Sequence, residues 1–287
     1  MGKYDYIVVT PCKNEEESLP SLIDSVINNT IKPNLWVIVD DGSTDSTPLI
    51  LENLKNKVEW VYVISEKESK RDLSFHYAQI VDSAIKYSID FCDKNAISHE
   101  FIALIDADMV LDKDFFEKIL GQFETDPDLG VCSGSAAYYL GDKLVHENGR
   151  SQNPIGGLRV WRKECFEESG GFPLSYSADS VSNVMAILSG WKIKKYNDII
   201  AITSRPTNST EGLWKGYKVR GISDYYRDYY PIYVLLKSLK YCIKYPFFYI
   251  GVAYLYGYIY GVLVVREKID MPEVRCYYRN KYKEFFD

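Results

Sequence analysis

The sequence predicts an α/β fold whose first half is a doubly wound layer of strands and helices. Three observations predict it. Short runs rich in Val and Ile recur and stop at turn residues, apolar positions at helical spacing lie between them, and two of the runs end in paired acids. The first such run is Leu35-Trp36-Val37-Ile38-Val39, followed by Asp40-Asp41-Gly42-Ser43. The second is Phe101-Ile102-Ala103-Leu104-Ile105, followed by Asp106-Ala107-Asp108. In open α/β sheets the ligand crevice lies beyond the carboxyl ends of the strands. Carboxylates crowded there repel one another unless a cation or hydrogen-bond donors meet them, and a divalent metal with a phosphorylated ligand accounts for the placement.

The elements follow in order. Residues 6–10 form a first strand, closed by Pro11, and Leu19, Leu22, Ile23, Val26 and Ile27 mark a helix after the loop at 14–17. After the second strand, Asp45-Ser46-Thr47-Pro48 starts a helix, with Pro where no free amide is needed. Residues 58–64 read as strand three. Leu73, Tyr77, Ile80, Val81, Ala84 and Ile85 read as a helix, and strand four leads to Asp106. Asp112 and Asp114 open a helix over 115–123. Further on, 131–139 reads as a strand, 142–157 as loop, 164–169 as a helix stopped by Gly170-Gly171-Phe172-Pro173, and about 180–189 as a helix ended by Gly190-Trp191.

Composition bounds the function. An apolar content of 46% with 26% charged residues belongs to a folded chain, and a formal charge of −6 with a pI near 5.3 argues against a nucleic-acid partner. The six cysteines are scattered without Cys-x-x-Cys spacing, which points to neither a zinc site nor a disulfide framework. The opening residues run directly into the first strand, so a secretory leader is not expected and the catalytic part is expected in the cytoplasm. A catalytic domain is expected over 1–230 and a helical, membrane-associated segment over 231–287. Within the latter, 247–265 carries no formal charge and is flanked by Lys240, Lys244, Arg266 and Lys268. Its tyrosines and glycines dilute the apolarity below that of a spanning helix, so a segment lying in the interface of an anionic membrane is expected. Gly257-x-x-x-Gly261 offers a surface for close helix packing.

Pro11-Cys12-Lys13-Asn14-Glu15-Glu16, Val39-Asp40-Asp41-Gly42-Ser43, Asp106-Ala107-Asp108, and Gly170-Gly171-Phe172 leading to Asp179 occur in the order and spacing of a known family. Over roughly 6–221 the chain resembles the GT-A glycosyltransferases of family 2, the dolichyl-phosphate-mannose synthase and polysaccharide-synthase type. The resemblance implies a Rossmann-like, mixed sheet flanked by helices, here with a C-terminal helical hydrophobic appendage. It also implies that Pro11, Asn14, Glu15, Asp40 and Asp41 hold the nucleotide, a carboxylate accepting from a base N–H. Asp106 would face the nucleotide sugar and share with Asp108 a Mg²⁺ or Mn²⁺ ion, whose hard oxygen ligands suit carboxylates and phosphates. Asp179 would be the general base. Lys218 and Arg220, in Trp214-Lys215-Gly216-Tyr217-Lys218-Val219-Arg220-Gly221, would neutralise the diphosphate.

The chain departs from the family pattern at three places. Ala178 stands where the family's acidic pair has its first member, Val110 stands where some polyprenyl-phosphate members carry Gln, and no His occurs over 200–205. A plain turn at Asp40-Asp41-Gly42-Ser43 and a helix-capping role for Asp179 are the structural alternatives. His76, His99 and His146 match no motif, and Lys70-Arg71 reads as a solvated turn.

The expected function is inverting, metal-dependent transfer from a nucleotide-diphosphate sugar to a hydroxyl or lipid-phosphate acceptor, in cell-surface or lipid-linked glycan synthesis. A catalytically inactive, membrane-tethered nucleotide-sugar-binding module and a sugar nucleotidyltransferase are the alternatives. The acidic loop Asn14-Glu15-Glu16-Glu17 speaks against the latter, which would carry a Gly-rich basic loop there. A phospho-receiver domain would want its acid pair after strand one rather than strand two.

Overall fold

Period-two alternation decides which face of each central strand is apolar toward which layer. The computed structural model describes residues 4–66, 75–146, 153–203 and 212–285. In its first unit, Met1–Leu174 with Ala178–Ser204, the elements run β1 (Tyr6–Cys12), α1 (Leu19–Ile27), β2 (Leu35–Asp40), α2 (Thr47–Lys55), β3 (Val61–Ser65), α3 (Phe75–Asn95), β4 (Phe101–Ile105) and β5 (Met109–Leu111). They continue as α4 (Phe115–Thr125), β6 (Leu129–Leu140), β7 (Lys143–His146), β8 (Leu158–Arg162), α5 (Lys163–Glu168), α6 (Ala178–Leu188) and β9 (Lys192–Thr203). Tyr6, Val8, Trp36, Ile38, Ala103 and Ile105 pack on one side with Leu19, Leu22 and Phe116. Ile7, Val9, Val37, Val39, Ile102 and Leu104 pack on the other with Ala78, Val81 and Ile85 of α3.

The sheet order is β3-β2-β1-β4-β8-β6-β9-β5, with β7 paired to β6. β3, β2, β1 and β4 are parallel; β8 is antiparallel to β4 and to β6, while β6 and β9 run parallel. The sheet is therefore mixed, as expected, and the carboxyl ends of β1, β2 and β4 share one edge. That edge receives both acid clusters.

Three local expectations differ from the structure. The third strand begins at Val61 rather than at 58, because the Val58 amide donates to the Leu54 carbonyl (3.1 Å) and the Val61 amide to the Val58 carbonyl (3.2 Å), so 58–60 turn rather than extend. The expected loop at 142–157 holds β7, hairpinned onto β6 through Gly141, whose φ of +61° suits glycine. The twelve-residue β9 was not expected, since Lys192, Lys194 and Lys195 interrupt its apolar pattern. Leu73 of the third helix pattern lies outside the described residues.

The second unit is Ser175–Ser177 with Arg205–Asp287. It holds α7 (Leu213–Tyr226), α8 (Pro231–Cys242), α9 (Tyr249–Tyr260) continued as a π-helical turn over Gly261–Val265, α10 (Pro272–Asn280), and a short 3-10 turn. Glycines set its packing. A methyl on Gly221 would strike the Tyr254 carbonyl, one on Gly257 the Lys218 carbonyl, and one on Gly261 the Tyr225 ring. The Gly257/Gly261 pair thus brings α9 against α7 within the chain. No described helix is long and apolar enough to cross a membrane.

Fully buried Asp224 is the ionic centre of this unit. It accepts from Arg227 Nη2, Lys237 Nζ and the Tyr254 hydroxyl, each at 2.6 Å. Burial pushes its carboxyl up, but Lys237 and Arg227 outweigh that and hold it below the usual range. The sign follows: the unfolded chain binds this proton more tightly, so the contribution is present above the ordinary carboxylate range and lost as pH falls through it. Asp224→Ala strands buried Arg227 and partly buried Lys237 and should destabilise the protein by roughly 3–5 kcal/mol. Denaturant titration at neutral pH measures this, and the gap from wild type should close in acid.

Candidate functional site

The first acid cluster is built where β1 and β2 end side by side. Pro11 sits opposite Val39 and Cys12 opposite Asp40, so the loops leaving the two strands run together. Asn14 takes a left-handed conformation (φ +52°), which Asn tolerates, and its side chain carbonyl accepts the Thr44 amide (2.8 Å) while its own amide donates to Ser43 Oγ (2.8 Å). The Glu15 amide donates to Thr47 Oγ1 at 2.9 Å; its buried carboxylate accepts from Ser18 Oγ at 2.6 Å. Asp40 accepts the Ser43 amide at 3.0 Å, closing the turn. Asp41 is different. Its carboxylate lies 2.8 Å from His76 Nε2 and 3.4 Å from Lys13 Nζ, and Lys13 also donates to its carbonyl at 2.6 Å.

The second cluster forms where β4 turns into β5. The Asp106 amide donates to the Gly157 carbonyl (3.0 Å), and Asp106 Oδ1 accepts from the Tyr77 hydroxyl (2.9 Å). Gly157 cannot be larger, because a methyl there would collide with the Asp106 carboxylate. A methyl on the adjacent Gly156 would lie 3.6 Å from Asp179 Cβ and 3.8 Å from its Oδ2. One glycine turn therefore abuts both Asp106 and Asp179. Asp179 sits inside the first turn of α6, which starts at Ala178, and not at the capping position before it. Asp108 is half-buried, its Oδ2 3.5 Å from the hydroxyl of Thr203, the last residue of β9.

Charge accumulates at this edge. Burial pushes the Asp106 carboxyl up to about 7; Asp108 adds to the rise, the Tyr77 hydrogen bond opposes it, and Asp179 and Glu15 add further. The same burial and the Asp106 charge drive the Tyr77 hydroxyl well above its ordinary value, so it stays a donor. Fully buried Arg159 reaches the site from β8. It donates to the Asp179 carbonyl (3.1 Å), the Ile155 carbonyl (3.2 Å), the Pro154 carbonyl (3.2 Å) and Asn183 Oδ1 (3.2 Å). It thus ties the start of α6 to the strand leaving the glycine turn.

Among the described residues, no cluster of three or more His, Cys, Asp or Glu could hold a metal by itself. Asp106 and Asp108 nonetheless suit a Mg²⁺ or Mn²⁺ ion that arrives with phosphate ligands, since such ions use one or two carboxylates and substrate oxygens. The fit rests on the chemistry of the donor set, two hard carboxylates two residues apart at the end of β4.

Asp108, Asp179 and Glu15 thus each act electrostatically on Asp106, while Asp41 is joined to Asp106 through α3, whose His76 and Tyr77 touch Asp41 and Asp106 respectively. Lys218 and Arg220 belong to the second unit. There Lys218 Nζ lies 4.5 Å from the centre of the Tyr260 ring, and Arg220 donates to the Tyr241 hydroxyl at 3.3 Å. Lys70, Arg71 and Arg205 lie outside the described residues. Sequence reasoning left out Lys13, His76, Tyr77 and Arg159. Lys13 lay within a quoted motif. Tyr77 was legible only as an apolar helical position, and Arg159 lay in a stretch assigned to no element.

The chain belongs to glycosyl transferase family 2, whose model matches residues 7–187. A poly-beta-1,6-N-acetyl-D-glucosamine synthase of Staphylococcus aureus (strain COL) is 23% identical over 258 residues, 78% of this chain and 58% of the relative. The Staphylococcus epidermidis synthase is 23% identical over 249 residues, 77% of this chain and 55% of its own length. The chain spans little more than half the length of these relatives. Among solved structures, the mannosyltransferase PcManGT from Pyrobaculum calidifontis, in complex with GDP-Man and Mn²⁺, superposes with a TM-score of 0.57 at 16% identity, covering 99% of this chain and 81% of that one. S. aureus TarS 1-349 with UDP-GlcNAc gives 0.55 at 17% identity, covering 77% and 65%. These likenesses bear out the GT-A fold.

Asp106 yields a stability prediction. A raised carboxyl pKa means that the folded chain binds the proton more tightly than the unfolded one, so stability drains as pH rises from the ordinary value of 3.8 to about 7. Asp106→Asn keeps an acceptor for Tyr77 and removes the charge. In thermal unfolding without divalent metal it should raise Tm by a few degrees at about pH 8 and change little at about pH 3, below both values. A lower Tm at the higher pH would mean that the folded chain already neutralises this carboxylate.

Proposed function

We propose that this family 2 chain transfers a sugar from a nucleotide-diphosphate donor to a hydroxyl or lipid-phosphate acceptor, with inversion at the anomeric carbon. The observation that carries the reading is the Gly156-Gly157 turn, which abuts Asp179 on one residue and Asp106 on the next. A donor gripped by Asp106 then lies within reach of a base on the neighbouring helix turn.

The roles follow from the chemistry of each group. Asp41, braced by Lys13 and His76, accepts from a base N–H of the nucleotide; Pro11, Asn14, Glu15 and Asp40 shape the loops around it. A Mg²⁺ or Mn²⁺ ion held by Asp108 and Asp106 would neutralise charge on the departing diphosphate. Asp179 takes the acceptor proton as the acceptor oxygen attacks from the face opposite the leaving group. Arg159 holds the Asp179 backbone and so fixes the direction of that carboxylate. The family resemblance assigns Lys218 and Arg220 to the diphosphate, and their positive charge suits that role. The synthases similar to this chain are named for N-acetyl-D-glucosamine polymers and the TarS complex contains UDP-GlcNAc, which makes a UDP-N-acetylhexosamine the first donor to test.

We place the reaction at the cytoplasmic face of a membrane, with 247–265 as the contact, consistent with a lipid-linked or envelope glycan acceptor. Ala178, where the family's acidic pair has its first member, favours one further reading, an inactive nucleotide-sugar-binding module. Hydrolysis of a panel of nucleotide sugars with Mn²⁺ separates the two.

Two variants test the assignment. Asp179→Asn should lower transfer by at least about a hundredfold while UDP affinity stays within the error of calorimetry; an active variant removes Asp179 as the base. Asp108→Ala should abolish the Mn²⁺-dependent part of UDP binding, and unchanged metal dependence would place the ion elsewhere.

A further inference from the structure

The connection between α8 and α9 exposes apolar side chains that the unit's own packing leaves aside. Tyr245 is 86% exposed, Ile243 74%, Phe248 69%, Phe247 64% and Leu239 64%. They are held on a fixed frame. The Phe248 amide donates to the Cys242 carbonyl (3.0 Å), and Ser238 Oγ donates to the Gly251 carbonyl (3.0 Å). A methyl on Gly251 would come within 2.7 Å of the Ser238 carbonyl, so the two helices are locked together at the base of the connection. Phe248 itself adopts a left-handed conformation (φ +62°), which is strained for a bulky residue. The hairpin therefore spends conformational energy to hold large rings outward.

Charge indicates what covers them. From Pro231 to Arg266 the sequence contains no Asp or Glu, although the whole chain carries −6; Lys237, Lys240, Lys244 and Arg266 are its only charges. Lys240 and Lys244 are exposed and border the tip. At the base of α9, Trp214 packs on Tyr249 with ring centroids 5.2 Å apart and remains 37% exposed. Large apolar patches on soluble surfaces mark interaction sites. Aromatic rings with a basic border and no acid match the interface of an anionic bilayer, where rings sit at headgroup level and lysines meet lipid phosphate. A twofold contact with a second copy would instead bring like-charged lysines together.

We propose that the α8–α9 hairpin tip, led by Tyr245, Phe247 and Phe248 and bordered by Lys240 and Lys244, inserts into the interfacial layer of an anionic lipid bilayer without crossing it. This deepens the membrane contact inferred above, on which it rests, and moves its centre from the body of 247–265 to the α8–α9 connection at its start. The tip anchors through rings and selects through charge.

Flotation of the full chain with vesicles tests this. The protein should float with mixed phosphatidylcholine–phosphatidylglycerol vesicles about tenfold better than with pure phosphatidylcholine. Phe247→Ser with Phe248→Ser should cut binding to the mixed vesicles about tenfold or more. Lys240→Gln with Lys244→Gln should abolish the preference for anionic lipid. Leu140→Ser, at the exposed end of β6 in the first unit, should change little. Equal binding to both vesicles, binding unaffected by the ring variants, or no flotation together with a dimer in solution would each overturn the proposal. Binding of UDP with Mn²⁺, measured on the same variants, reads the donor site separately. Failure to float with donor binding intact sinks the tip alone, whereas flotation without donor binding sinks the glycosyl-transfer reading and leaves the tip standing.

Discussion

Two neighbouring residues on one helix hold both acidic clusters. His76 meets Asp41 at the end of β2, and Tyr77 meets Asp106 at the end of β4. Adjacent helix positions point about a quarter-turn apart, so the first turn of α3 can reach two separate strand ends at once. α3 is anchored through Ala78, Val81 and Ile85 against the sheet. The spacing between the two clusters is thereby set by the core rather than by loops. A donor molecule that engages both would find the distance already fixed, which is the preorganisation that a displacement reaction requires.

The edge that gathers these groups works against folding. Asp106 sits between burial, which disfavours its charge, and the negative charges of Asp108, Asp179 and Glu15. Nothing in the packing of the sheet needs a carboxylate there. Strain of this kind persists where the surrounding structure over-determines it, and it gathers at working sites. The glycine turn shows the same logic sterically, since Gly157 makes room for a side chain that an ordinary residue would displace.

The central strands and first three helices were legible because their apolar periods are clean and their ends carry punctuation such as Ser46-Thr47-Pro48 and Gly42, although β1 runs on through Pro11 to Cys12. The alternation of Ile7 and Val9 against Tyr6 and Val8 maps directly onto the two faces of the sheet. β9 was not legible, because its lysines break the apolar pattern and its pairing with β6 is a long-range fact. Much of the site could be read as motif, since acids at strand ends have few structural uses. The partners of those acids could not. Tyr77 presents itself as a core residue of an amphipathic helix and His76 as a lone histidine. Arg159 lies in Leu158-Arg159-Val160-Trp161, where alternation says solvent, yet α6 covers that face and supplies Asn183 and a backbone carbonyl to satisfy it. Tertiary contact decides such residues, and local pattern does not.

In the second unit, Gly257 rests on the main-chain oxygen of Lys218, whose ammonium group lies over the Tyr256 and Tyr260 rings of the same helix. Backbone and side chain of one residue are thus both registered against α9. Any lengthening of the side chain at 257 would push the two helices apart and shift that cation with them. Helix spacing and the position of a positive charge are here one variable, so drift in the first cannot occur silently with respect to the second.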